Sequence, residues 1–230
     1  MIIAIDGPAG SGKSSTARAI ADRLGGLYLD TGAMYRAVGV ALARAGVTEA
    51  EAVSKQVTNL RIDIVVGKSD VSILVDGDDV TREIRTAQAS VLASGVSRLL
   101  PVRRRLVSEQ RRIGRELSAA GRLVVVEGRD IGTVVFPDAD VKFFMDADPT
   151  VRARRRHQEL RAWGQEEDFQ SVLSDLEVRD RLDREREHSP LRKAEDAIIV
   201  DTSRLTPEEQ VDIILAAIAE RYEDVGDGDS

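Results

Sequence analysis

The sequence of 230 residues predicts an α/β fold: a doubly wound five-stranded parallel sheet with helices on both faces, an antiparallel β insert and a charged helical segment over one edge. Five short apolar stretches predict the sheet, Ile2 to Asp6, Leu27 to Asp30, Leu123 to Glu127, Val141 to Asp146 and Ala197 to Asp201, each ending on an acidic residue. Runs of that length, rich in β-branched residues and without polar alternation, fit strands covered on both faces. Helical patterns between and after them supply the covering layers. Ala17, Ile20, Ala21 and Leu24 stand at i, i+3, i+4 and i+7 and stop at Gly25-Gly26. Val102, Leu106, Ile113 and Leu117 line another helix face. The last helix opens on Thr206, Pro207 and Glu209, a capping box with proline at its first position, and places Val211, Ile214, Leu215, Ile218 and Tyr222 on one face.

Two stretches break the alternation of strand and helix. Arg61 to Val66 and Val71 to Val75 flank Gly67-Lys68-Ser69-Asp70 as an antiparallel hairpin, and Asp76-Gly77 turns the chain into a third short strand near Val80. From Arg152 to Pro190 charged residues dominate, which predicts a mobile, solvated helical segment. The tail 224–230 is expected to fray.

Composition narrows the function classes. Hydrophobic residues at 42% and charged residues at 32% describe a chain that folds on its own. With no Cys there is neither a disulfide framework nor a thiolate metal site, which fits a cytoplasmic location. The amino terminus, Met1-Ile2-Ile3-Ala4-Ile5-Asp6, has no basic region ahead of its apolar residues, so neither a signal peptide nor a membrane span is expected there. A net charge of −7 argues against nucleic acid as partner, and any anion bound must meet a local cluster of basic residues. Three arginine clusters qualify, Arg152 with Arg154 to Arg156, Arg103 to Arg105, and the stretch Arg179 to Arg186, each expected to meet a small phosphate.

Gly7-Pro8-Ala9-Gly10-Ser11-Gly12-Lys13-Ser14, followed by Ser15, matches G-x-x-x-x-G-K-[ST] and lies between the first strand and the first helix. Glycines let successive N–H groups point inward as an anion nest, and the helix amino terminus adds partial positive charge. Lys13 is then expected to reach the β and γ phosphates of ATP, and the Ser14 hydroxyl to ligate Mg²⁺. This makes the fold a P-loop NTPase type. A guanine reader of the form N-K-x-D is missing, since the only Asn, Asn59, precedes Leu60. The third strand runs into Glu127-Gly128-Arg129-Asp130 and lacks the clear aspartate ending of motor ATPases, so a small-molecule kinase is favoured.

Five separated motifs resemble the bacterial cytidylate kinase family over nearly the whole chain: Gly7 to Ser15; Asp30-Thr31-Gly32-Ala33-Met34-Tyr35-Arg36; Glu83-Ile84-Arg85-Thr86; Glu127 through Pro137; and Arg179-Asp180-x-x-Asp183-x-x-Arg186 before Pro190-Leu191. The resemblance implies one kinase domain with a core about 1–34, 106–150 and 191–223, a monophosphate-binding segment carrying the β insert about 35–105, and a lid about 151–190. It implies ATP and CMP or dCMP as substrates, Mg²⁺ as cofactor and a monomer. Ser94, Arg103 and Asp130 are implied as cytosine readers, Arg36 and Arg129 as clamps on the acceptor phosphate, and Arg179, Asp183 and Arg186 as lid-side contacts, with Thr31 and Tyr35 beside the acceptor. Lys13, Arg129, Arg179 and Arg186 are the implied catalytic set.

Chemistry supports these residue types. Cytosine presents an N4 amino donor where uracil presents an O4 acceptor, so a buried carboxylate such as Asp130 selects cytosine. Phosphoryl transfer needs alignment and charge neutralisation, for which guanidinium groups suit. The acceptor phosphate, with a second pKa near ~6, is mostly dianionic and needs no general base. Other acceptors (UMP, AMP, a non-nucleotide metabolite) and a nucleotide-dependent regulatory module remain alternatives. By themselves, the stretches Arg152 to Arg156 and Arg179 to Glu187 also fit solvated helix faces with i,i+4 pairs. Trp163 suits a packing anchor or an adenine stack, and Glu127 and Asp30 either cap strand ends or hold Mg²⁺ through water. His157 and His188 receive no role.

Overall fold

A computed structural model describes residues 1–47, 50–66 and 71–226. Its five-stranded sheet has the order β2-β6-β1-β7-β8, built from β1 (Ile2–Asp6), β2 (Leu27–Asp30), β6 (Val124–Gly128), β7 (Val141–Asp146) and β8 (Ile198–Asp201). The central strand β1 runs parallel to β6, with Ile3 opposite Val125, and parallel to β7, with Ile3 opposite Val141. All five residues of β1 are buried, which is why Ile2 to Ile5 form an unbroken apolar run. The sheet strands start within one residue of the sequence-based bounds, β6 at Val124 and β8 at Ile198.

By its internal contacts the chain divides into two compact units. The first comprises Met1–Leu29, Gly114–Glu185 and Ser189–Ser230, and the second Asp30–Ile113 with Arg186–His188. In the first unit, α1 (Lys13–Arg23) and α8 (Pro207–Gly226) pack on the sheet around Ile3, Ile5, Ile20, Val125, Phe143, Met145 and Ile214. Burying an aliphatic or aromatic side chain of this size contributes about 1.5–3 kcal/mol. The capping box of α8 forms as anticipated: Glu209 Oε2 accepts from Thr206 N at 2.7 Å, and Glu209 N donates to Thr206 Oγ1 at 3.3 Å. The helix runs on to Gly226, so residues 224–226 are helical rather than frayed, while 227–230 lie outside the described residues. Leu24, assigned to the core face of α1, is its carboxy-terminal cap and is 39% exposed. The chain has already left the helical path there, and Leu24 N closes the last turn on Ile20 O.

The second unit holds α2 (Thr31–Arg44), α3 (Ala50–Asn59), α4 (Ala87–Val96), most of α5 (Leu100–Ala119) and a three-stranded antiparallel sheet in the order β3-β4-β5. Here β3 (Ile62–Val66) pairs with β4 (Val71–Val75) and β4 with β5 (Asp78–Asp79). The expected turn at residues 67–70 lies outside the described residues. At the second turn Asp76 and Gly77 take φ of 52° and 92°, the pair of positive values a two-residue type I′ hairpin needs. Helices α2 and α4 approach closely at Gly39, where an added Cβ would stand 2.8 Å from Leu92 Cβ.

The segment expected to be solvated is two helices of the first unit, α6 (Pro149–Ala162) and α7 (Phe169–Glu185). Ala153, Leu160, Val172 and Leu176 bury one side of the pair, as do the charged Arg152, Asp180 and Asp183. Two N-caps start them: Asp148 accepts from Thr150 N and Val151 N, and Asp168 from Gln170 N and Ser171 N. Among the described residues no helix is long and apolar enough to cross a membrane.

Candidate active site

The loop between β1 and α1 takes its shape from glycine and from arginines behind it. Gly7 has φ of 152°, and a Cβ there would lie 2.0 Å from the main-chain oxygen of Met145. Gly10 has φ of 75°, with its would-be Cβ 2.7 Å from Arg152 O. No L side chain fits either place. Outside the loop, Arg152 Nη1 donates to Ala9 O at 3.2 Å, while Arg155 Nη1 and Thr202 Oγ1 donate to Ser11 O at 3.4 and 2.9 Å. In a trans peptide the carbonyl and the following N–H point opposite ways. Tying down Ala9 O and Ser11 O therefore turns the N–H groups of Gly10 and Gly12 to the other side, as an anion nest requires. Lys13 is buried, with Nζ donating to Pro8 O at 3.0 Å, and its charge is held within the loop.

These contacts occupy members of two of the arginine clusters. Arg152 and Arg155 brace the loop from behind. Arg152 is also joined to Asp180 of α7 at 2.6 Å and to Ala147 O at 3.0 Å, with its side chain 4% exposed. Arg155 Nη2 reaches Thr202 O at 2.7 Å. Arg156 pairs with Glu159 and lies over the Trp163 ring at 5.1 Å. Trp163 is 40% exposed at the end of α6, so it packs under an arginine without being buried. Arg105, of the second cluster, is spent on Glu109, which also binds Arg112. The Arg112 hydrogen bond, with Arg105 adding to it, holds the Glu109 carboxyl below its ordinary value. Sequence could not separate these roles, because bracing and phosphate-binding arginines share one composition. His157 meets Glu167 O and the edge of Phe169, and His188 lies beside Glu187.

Within the first unit, the end of β6 leads to Arg129, Asp130 and one π-helical turn, Ile131–Val135. Arg129 Nε donates to Asp183 Oδ2 at 3.0 Å, bringing together two residues 54 positions apart. Asp183 is buried, and Arg179 stands one turn earlier on the same helix, α7. Arg186 follows the end of that helix and groups with the second unit. Asp130 is 5% exposed. Beside it lies Asp6, for which the sequence indicates no role beyond ending β1 and whose carboxylate accepts from Ile131 N at 2.8 Å and Gly132 N at 2.7 Å. Burial pushes the Asp6 carboxyl up to about 7, against the pull of the Gly132 and Ile131 N–H groups and of Lys13 and with the push of Asp130. An acidic residue closing a wholly apolar strand just before the glycine loop was the available signal.

Within the second unit, Thr31 is buried at the start of α2, whose N-cap Asp30 accepts from Ala33 N at 2.8 Å. Asp30 also holds Arg36 Nη2 at 2.8 Å. Asp30 thus ends β2 and caps α2; in the first unit, Glu127 accepts from Tyr28 Oη at 2.7 Å. Arg103 is 3% exposed, donates to Ser97 O at 3.3 Å and lies 5.6 Å from the Tyr35 ring centroid. The residue is far from a surface position. Ser97 Oγ in turn donates to the carbonyl of the half-buried Ser94, so Ser94, Ser97, Arg103 and Tyr35 form one connected group.

Among the described residues no group of three or more His, Cys, Asp or Glu could cage a metal, whereas Ser14 opens α1 next to the loop and the buried Ser11 Oγ has no hydrogen-bond partner among them. A seat that offers serine hydroxyls and no carboxylate cage fits Mg²⁺, which keeps waters and substrate phosphates as most of its ligands.

The family model described as cytidylate kinase matches residues 3–220. The cytidylate kinase of Salinibacter ruber is 47% identical over 94% of this chain and 95% of its own length, and that of Thermosipho melanesiensis 45% identical over 95% and 97%. That of Rhodococcus opacus is 45% identical over 96% of both. Among solved structures, a gluconokinase from Sinorhizobium meliloti superposes with a TM-score of 0.51 at 17% identity, covering 99% of this chain and 97% of that one. A sugar kinase from Janibacter gives 0.50 at 14%, covering 95% and 94%. The two structures share the fold. On the full-length sequence match, this chain belongs to the cytidylate kinase family.

Proposed function

We propose that the chain transfers the γ-phosphoryl group of ATP to CMP or dCMP, giving ADP and CDP or dCDP. One observation carries the proposal: a glycine loop with its Ala9 and Ser11 carbonyls tied down and Lys13 buried shares a compact unit with the buried Asp130 and the Arg129–Asp183 pair, in a chain of the cytidylate kinase family.

The triphosphate lies in the loop Gly7 to Ser15, held by main-chain N–H groups and by Lys13, whose charge offsets the β and γ phosphates. Ser14 holds Mg²⁺, which when bound draws charge from the phosphate oxygens. Arg152 and Arg155 keep the loop carbonyls turned away, so the nest does not have to reorganise as charge shifts in the transition state. On the acceptor side, Asp130 accepts from the cytosine N4 amino group and disfavours uracil, with Ser94 and Arg103 completing the base contacts. Arg36 and Arg129 grip the monophosphate, and Thr31 and Tyr35 flank it. Arg179 and Arg186 neutralise the transferring group, while Asp183, held by Arg129, contacts the sugar. The dianionic acceptor attacks in line without a base. The helical segment 151–190 acts as a lid that excludes water and so protects ATP from hydrolysis, with its root fixed on the loop at Arg152.

A coupled assay of ADP release over a panel of acceptors tests the proposal. CMP and dCMP should stimulate release well above UMP, AMP or no acceptor. Faster turnover of another acceptor rejects it, as does ADP release that no acceptor stimulates.

A further inference from the structure

Asp6 directly precedes the phosphate loop, yet both of its carboxylate oxygens bind the turn that follows Asp130. It is the last residue of β1, opposite Gly128 of β6, and only 4% exposed. Oδ1 accepts from Ile131 N at 2.8 Å and Oδ2 from Gly132 N at 2.7 Å. These are the first N–H groups of the π-turn, which have no acceptor inside the turn. At the other end of the same peptide link, Asp130 O accepts from Val134 N at 2.9 Å and Val135 N at 3.0 Å. The main chain on either side of the Asp130–Ile131 bond is therefore fastened. Gly132 lets the turn come this near: a Cβ there would stand 3.1 Å from Lys142 Cδ and 3.5 Å from Asp6 Oδ2.

We infer that Asp6 is a positioning residue for the acceptor base: by tying down the turn that follows Asp130, its carboxylate fixes where the Asp130 carboxylate stands. The inference rests on the assignment of Asp130 as the cytosine acceptor proposed above. A desolvated carboxylate is an expensive way to satisfy amides, and its use here has a chemical reason. Two separate N–H groups need two acceptor oxygens, and an asparagine has one, with its amide hydrogens set against the second N–H. Asp6 touches neither the base nor the transferring phosphate in this scheme. It acts through Asp130.

The test is the ratio of kcat/KM for CMP to that for UMP in wild type, Asp6→Asn, Asp130→Asn and the double variant. Displacement of a substrate-positioning group by a fraction of an ångström to 1 Å costs tenfold to a hundredfold, so Asp6→Asn should lower the ratio by about tenfold. It should raise KM for CMP far more than KM for ATP. In the Asp130→Asn background the same substitution should change the ratio less than twofold, because the group it positions is gone. An unchanged ratio in Asp6→Asn, or a full additive loss in the double variant, overturns the inference. If Asp130→Asn itself leaves the ratio unchanged, it is the assignment of Asp130 that fails, a distinguishable outcome. Should Asp6→Asn not fold, Asp6→Ser is read in the same assay. Hydrogen exchange of the wild-type protein needs no substitution: CMP should slow exchange at the Ile131 and Gly132 amides, and exchange that CMP leaves unchanged overturns the inference.

Discussion

Replacing Asp180 by asparagine should weaken both the fold and the seat for ATP. Asp180 and Arg152 meet at 2.6 Å with side chains 6% and 4% exposed, so neither charge has water to fall back on. Removing one partner of such a pair costs about 3–5 kcal/mol, because it strands the other charge. Arg152 keeps its bonds to Ala9 O and Ala147 O, and asparagine keeps an acceptor oxygen, which places the expected loss near the lower end, about 3 kcal/mol. For a chain of this size that corresponds to a fall in Tm of about 6–12 °C. Urea unfolding of Asp180→Asn, Arg152→Met and the double variant forms a thermodynamic cycle. Strong coupling is expected, the double variant losing much less than the sum of the single ones. Arg152→Met should also raise KM for ATP even where stability is restored, because Ala9 O has lost its tether. Single losses below about 1 kcal/mol, or losses that simply add, would refute the view that this pair is a buried brace of the loop.

Four further outcomes follow from the same contacts. Gly7→Ala should abolish ATP binding, since its Cβ would meet a main-chain oxygen at 2.0 Å; retained binding in calorimetry would contradict the loop geometry. Asp130→Asn should reduce the preference for CMP over UMP by about tenfold or more, the 1–3 kcal/mol of one specific base contact. Asp183→Asn should weaken CMP binding with little effect on ATP, because it loosens Arg129; equal loss of both affinities would count against its placement. The Asp6 carboxyl, raised by burial from 3.8 to about 7, makes a signed pH prediction. Between these values the folded chain keeps the proton and the unfolded chain releases it, so stability due to this group is full below about pH 4 and falls by roughly 4 kcal/mol as pH rises through 7. The Tm of wild type relative to Asp6→Asn should therefore decline from pH 5 to pH 8, and a parallel course of the two curves would contradict the raised value.

The sheet was legible in the sequence because a buried parallel strand has a simple signature. Ile2 to Ile5 are all apolar because β6 and β7 flank β1 and helices cover it. The phosphate loop was legible because Gly7 and Gly10 occupy conformations and spaces closed to other residues. Charge was not so readable. Arg152 and Arg156 are four residues apart on one helix, yet the first is buried against Asp180 and the second lies over Trp163. That difference is set by what α7 and the loop present, through contacts distant in sequence. Asp6 escaped for a similar reason: its two partners stand 125 and 126 residues away.

A crystal structure of the enzyme with CMP and a non-hydrolysable ATP analogue tests the central claim most directly. The cytosine N4 group should lie within hydrogen-bond distance of Asp130, the monophosphate on Arg36 and Arg129, and the γ phosphate at Lys13, in line with the acceptor oxygen. A monophosphate bound away from Arg36, Arg129 and Asp130 would contradict it.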